Sequence, residues 1–116
     1  MLIIRNPEDA SALPDDHPGH ERLDLLDLVP ILVIEPGDTE ENIIREIGFS
    51  PLVNRVDGER FPSPEFTPNW EYICNHGDWF EQVYVTGDDG SGVMIFVPDD
   101  DRIDLALLTL CRHYAV

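Results

Sequence analysis

Apolar residues in this chain come in short runs, each closed within a few positions by proline, glycine or an acid. Leu2 to Arg5 reads as a short strand. Asn6-Pro7-Glu8-Asp9 then combines a capping residue, a proline at the first helical position and acids in the first turn, which predicts a helix. Leu13-Pro14 to Pro18-Gly19 is loop by composition, and Leu23, Leu25, Leu26, Leu28 and Val29 fit a second helix that Pro30 stops. Ile31-Leu32-Val33-Ile34 is an unbroken run, as expected of a strand buried on both faces. After the Glu35-Pro36-Gly37 turn, Asp38 or Thr39 can cap a helix through Glu46, with Ile43, Ile44 and Ile47 on one face and Gly48 as its stop.

Leu52 to Val56 and Glu59 to Phe61 flank Asp57-Gly58, a hairpin signal. Thr67-Pro68 predicts another helix, with Trp70, Ile73 and Cys74 on its inner face and Gly77 at its end. The strongest signal is a hairpin of Trp79 to Thr86 and Gly92 to Val97 around the acidic loop Gly87 to Ser91. A final helix is expected from about Asp100 to Tyr114, with Ile103, Leu107, Leu110, Cys111 and Tyr114 as its buried stripe and three aspartates at its positive end. The sum predicts one α+β domain over residues 1–116, a mostly antiparallel sheet with helices packed on one face. No internal repeat or linker interrupts it.

Charge narrows the partners. Twenty-four carboxylates stand against seven basic residues, all arginine, for a formal charge of −17. Nucleic acid and anionic membranes are bound through cations, so that field excludes both as direct ligands. It favours basic protein surfaces, cations or plain solubility. Five Phe, three Tyr and two Trp argue for a folded chain rather than an acidic disordered one. Met1 to Arg5 is too short for the core of a signal peptide, and no apolar run approaches the ~20 residues of a membrane span. Cys74 and Cys111 are expected as buried free thiols, and the cytoplasm is the expected location.

Candidate chemistry is sparse. Val33-Ile34-Glu35-Pro36-Gly37-Asp38-Thr39, with Ile43, Ile44, Ile47-Gly48 and Pro51-Leu52-Val53-Asn54, resembles the opening of a LysM module, a family that recognises N-acetylglucosamine polymers. It departs where that family places a second helix, and turn and capping chemistry account for the same residues. Cys74-Asn75-His76 and Cys111-Arg112-His113 invite a zinc site, but two residues apart on a helix do not converge on one ion. His17 and His20 could join a metal site, though histidine beside proline and glycine is commoner as surface. Neither Asp88-Asp89-Gly90 nor Asp99 to Asp104 has the alternation and closing glutamate of an EF-hand. The serines form no Gly-x-Ser-x-Gly elbow, and there is no glycine-rich phosphate loop. No catalytic residue, metal or cofactor is therefore expected.

Phe66 to Ile73, Trp79-Phe80-Glu81, Asp88 to Val93, Val97-Pro98 and Leu110 to Ala115 together resemble small acidic proteins encoded on bacterial plasmids and integrative elements. The resemblance implies a mobile-element accessory protein and brings no catalytic residue with it. The expectation is a non-enzymatic protein whose acidic face meets a basic protein surface, as a nucleic-acid mimic or inhibitor. The positions expected to carry it are Asp15, Asp16, Glu40, Glu41, Asp88, Asp89, Asp99, Asp100, Asp101 and Asp104. The alternative is a small-ligand or carbohydrate-binding module that stacks on Trp70, Trp79, Tyr72 and Phe80. Adaptation to high salt is a third account of the acidity.

Overall fold

The computed structural model describes residues 1–53, 58–61, 72–86 and 91–115. Five strands form one sheet: β1 (Leu2–Ile4), β2 (Ile31–Val33), β3 (Tyr72–Asn75), β4 (Trp79–Thr86) and β5 (Ser91–Pro98). They lie in the order β1-β2-β5-β4-β3, antiparallel except where β2 meets β5. Such a parallel pair needs a crossover, and the chain between them carries helix α1 (Glu40–Ile47). A second α-helix, α2 (Leu105–Tyr114), follows β5. The class is α+β, as the sequence predicts.

Alternation along the central strands builds two cores. Leu32, Ile34, Phe80, Val93, Ile95 and Val97 face α1 and α2, meeting Ile43, Leu107, Leu110 and Cys111. Ile31, Val33, Val83, Met94 and Phe96 face the other way, toward two 3-10 segments, Pro7–Ala12 and Pro18–Asp27. Both α-helices thus pack on one face, and the 3-10 layer covers the other.

The helix boundaries follow their caps. Asn6 Oδ1 accepts from the Asp9 N–H at 3.0 Å, and Pro7 occupies the first position. Thr39 Oγ1 accepts from Asn42 N–H at 3.4 Å, and Gly48 closes α1 at φ 86°, a left-handed conformation that suits glycine. Val53 bridges Arg60, and the Phe61 N–H donates to the Leu52 carbonyl at 2.8 Å, so the arms of the expected hairpin meet, but two residues out of the register that a two-residue Asp57-Gly58 turn would set. Its turn residues 54–57 lie outside the described residues. No second helix follows α1 there, so among the described residues the LysM order of elements is not continued.

Three expectations are corrected. The segment assigned to a helix from Thr67-Pro68 to Gly77 contains β3 instead, its start lying outside the described residues. Pairing with the free edge of β4 decides this, Tyr72 opposite Val83 through Asn75 opposite Phe80. Gly77, at φ 78°, belongs to the tight turn between those strands, where Asn75 Oδ1 accepts its N–H at 2.6 Å. Helix α2 starts at Leu105, five residues later than expected, because Asp104 is the aspartate that caps it, accepting from Ala106 and Leu107 N–H. The helix expected over Leu23 to Val29 is a 3-10 segment that begins at Pro18. Leu23, Leu25 and Leu26 pack on the core from this segment, and Val29 is buried just beyond its end.

Candidate functional site

Most of the expected acidic positions are already engaged within the chain. Arg60 grips Glu40 with both terminal nitrogens, at 2.9 and 3.2 Å, and this bond holds the Glu40 carboxyl below its ordinary range. Glu41 lies 3.9 Å from Arg45 one turn along α1, an exposed pair worth little. Arg102 forks onto Asp100 at 2.7 to 3.2 Å, and these bonds with its own backbone N–H hold that carboxyl at about 2. Arg112 reaches Asp99 at 2.8 Å and Asp101 at 3.4 Å. Asp104 caps α2, and Asp88 and Asp89 lie outside the described residues. Asp15 and Asp16 stand exposed between the two 3-10 segments and make no ion pair among the described residues.

The second 3-10 segment adds acids that the sequence reading passed over. Glu21, Asp24 and Asp27 are all exposed and three residues apart. At 3.0 residues per turn such positions eclipse one another, and at ~2 Å rise per residue the row advances by ~6 Å per carboxylate. Glu8 and Asp9 lie on the first segment. Between residues 8 and 27 seven acids are accompanied by a single arginine, Arg22. The usable signal was the spacing itself: acids at 21, 24 and 27 and leucines or valine at 23, 26 and 29 share a period of three.

Arg22 does not offset that row on its outer side. It turns inward to Glu81 of β4, which is 0% exposed, placing Nη2 2.7 Å from Oε1 and Nε 3.2 Å from Oε2. His76, in the β3–β4 turn, comes within 2.9 Å of the same carboxylate through Nε2. Glu81 is opposite Phe96 in the register, so it belongs to the 3-10 face of the sheet. A carboxylate buried there requires a cation and hydrogen bonds, and Arg22 supplies both from the layer above.

The other expected groups separate. Trp79 and Phe80 are neighbours on one strand and face opposite sides, so they share no stacking surface. Trp70 and the side chain of Tyr72 lie outside the described residues. Cys74 is opposite Glu81 on the 3-10 face, whereas Cys111 packs on the α-helical face. Burial raises both thiols, Cys111 to about 12, and neighbouring Glu81 adds to the rise at Cys74, so neither is a thiolate near neutral pH. Among the described residues no three His, Cys, Asp or Glu side chains gather to hold a metal ion, and no helix is long and apolar enough to cross a membrane. Comparison with known proteins finds no matching family model, no matching curated protein and no matching solved structure.

Proposed function

We propose that this chain is a non-enzymatic interaction protein whose 3-10 layer presents a row of carboxylates to a basic protein surface, as a mimic of a nucleic-acid strand. The observation that carries the reading is the row Glu21, Asp24 and Asp27, all exposed at the three-residue spacing of a 3-10 helix, with Arg22 of the same segment paired inward to Glu81. A regular line of anions on a fixed scaffold is what a nucleic-acid-binding protein meets on a phosphate backbone. The −17 charge gives such a partner fast, steered association that salt weakens. A role on a bacterial mobile element, acting in the cytoplasm on a host nucleic-acid-binding protein, is part of this proposal and rests on the sequence resemblance.

The test compares the wild type with the Glu21→Gln/Asp24→Asn/Asp27→Asn variant. Each is immobilised and exposed to nuclease-treated bacterial extract at low and high salt. Exposed substitutions of this kind leave stability nearly unchanged. Retention of basic nucleic-acid-binding proteins by the wild type, their release by salt or by added duplex DNA, and their loss from the variant are expected. Binding indifferent to salt and to the three substitutions rejects mimicry.

A further inference from the structure

Arg5 is the one arginine among the described residues whose guanidinium meets no carboxylate. In a chain with twenty-four acids that is unusual. Its backbone N–H donates to Asp9 Oδ2 at 3.0 Å, so the acid beside it holds the main chain and leaves the side chain unpaired.

Arg5 also lines a cleft of about 170 Å³ between the β1–β2–β5 side of the sheet and the last turn of α1. Buried Leu32 and Val93 form its floor, and half-buried Ile3 and Ile47 flank them. Arg5 lies two positions on from Ile3 and keeps to the same face of the sheet, the one that α1 covers. Glu46 lines the helix side of the cleft, exposed and without an ion pair among the described residues. The cleft thus brings an unpaired cation and an unpaired anion to one aliphatic floor, and the two do not neutralise each other.

We propose that this cleft binds a free aliphatic amino acid, its α-carboxylate on Arg5, its α-ammonium on Glu46 and its side chain on Leu32 and Val93. A guanidinium takes a carboxylate through two parallel hydrogen bonds. Arg5 and Glu46 are both exposed and long, so their charged ends can reach over the apolar floor. The zwitterion is neutral overall, so the −17 field does not repel it, whereas a plain carboxylic acid is opposed. A volume of about 170 Å³ holds a ligand of this size and excludes drug-sized molecules, which need ~300 Å³ or more. The carboxylate row lies on the 3-10 layer across the sheet, so the triple acidic variant keeps this site.

Leucine, leucinamide and N-acetylleucine differ chiefly in which charge they carry, and NMR titration of the full chain with each tests the assignment. Salt is kept high enough to screen the net charge, so that only contacts within the cleft discriminate. Leucine is expected to shift the Leu32 and Val93 methyl resonances saturably. It should bind about three- to tenfold more tightly than either analogue, between an exposed ion pair and a charge-assisted hydrogen bond in size. Arg5→Gln removes the preference over leucinamide, and Glu46→Gln removes the preference over N-acetylleucine. Both positions are exposed, so both variants fold. Equal affinities for the three ligands, preferences unchanged in the variants, or no saturable shift at Leu32 and Val93 overturns the proposal.

Discussion

Lowering the pH from neutral to about 5 is expected to destabilise this protein by about 2 kcal/mol through one histidine. Burial holds the His17 pKa down to about 4 from 6.5, with His20 adding to the shift and Asp16 opposing it. The unfolded chain therefore takes up a proton near pH 6.5 that the folded chain refuses until about pH 4. Stability from this residue is fully present above about pH 6.5 and is lost as pH falls toward about 4. A difference of this size is worth about 3 kcal/mol in full, of which about 2 kcal/mol is gone by pH 5. Small domains hold only about 5–15 kcal/mol, so the loss is visible in urea melts. Protonation of surface carboxylates acts in the opposite sense by relieving the −17 self-repulsion, so the comparison must be differential. His17→Phe retains a ring beside Trp79 and Phe96 but removes the acceptor for Gly19 N–H, a pH-independent cost of about 1 kcal/mol. The gap between wild type and variant should shrink by about 2 kcal/mol between neutral pH and pH 5. A gap constant across that range, or an imidazole seen by NMR to titrate near 6.5 in the folded protein, refutes the reasoning.

Two further outcomes concern the same layer. At Gly19 a Cβ would lie 2.9 Å from His17 Nδ1 and 3.1 Å from Leu13 Cδ1, so Gly19→Ala is expected to cost about 1–3 kcal/mol in denaturant melts, and a neutral variant contradicts the packing. Arg22→Met leaves the Glu81 carboxylate buried with His76 and should cost about 3 kcal/mol or more, while adding Glu81→Leu should restore most of it. A loss under about 1 kcal/mol, or no recovery in the double variant, shows that this pair does not fasten the layer to the sheet.

Elements whose signals are local were legible in the sequence. The β4–β5 hairpin shows in alternation, β2 in its β-branched run, and α1 in Thr39 and Gly48. β3 was not, because a cap-plus-proline start and a later glycine read equally as a helix, and only the edge of β4 decides between them. The start of α2 was hidden among four aspartates, each able to cap. The acidic face was half legible for a related reason. Acid density is local, but whether an acid is engaged depends on an arginine 13 residues from Asp99, 20 from Glu40 and 59 from Glu81. Clusters dense in acids, such as Asp99 to Asp101, proved the most engaged, while the row at 21, 24 and 27 looked ordinary until its period of three was set on a 3-10 helix.

That engagement also shows where arginine serves better than lysine. Five of the six arginines among the described residues (Arg22, Arg45, Arg60, Arg102 and Arg112) have a carboxylate partner in the chain. Three of these use two nitrogens on one carboxylate, Arg22 on Glu81, Arg60 on Glu40 and Arg102 on Asp100. A planar guanidinium does this in a fixed geometry, whereas an ammonium is a strongly hydrated point charge. At those three positions the fold uses the two-pronged bond that arginine makes and lysine does not. Arg22 shows both halves of that logic. As lysine it would lose the fork on a carboxylate that has no solvent to fall back on, and if turned outward it would offset the row formed by Glu21, Asp24 and Asp27. Directed inward as arginine, it neutralises Glu81, the one buried carboxylate among the described residues, rather than offsetting the outer row.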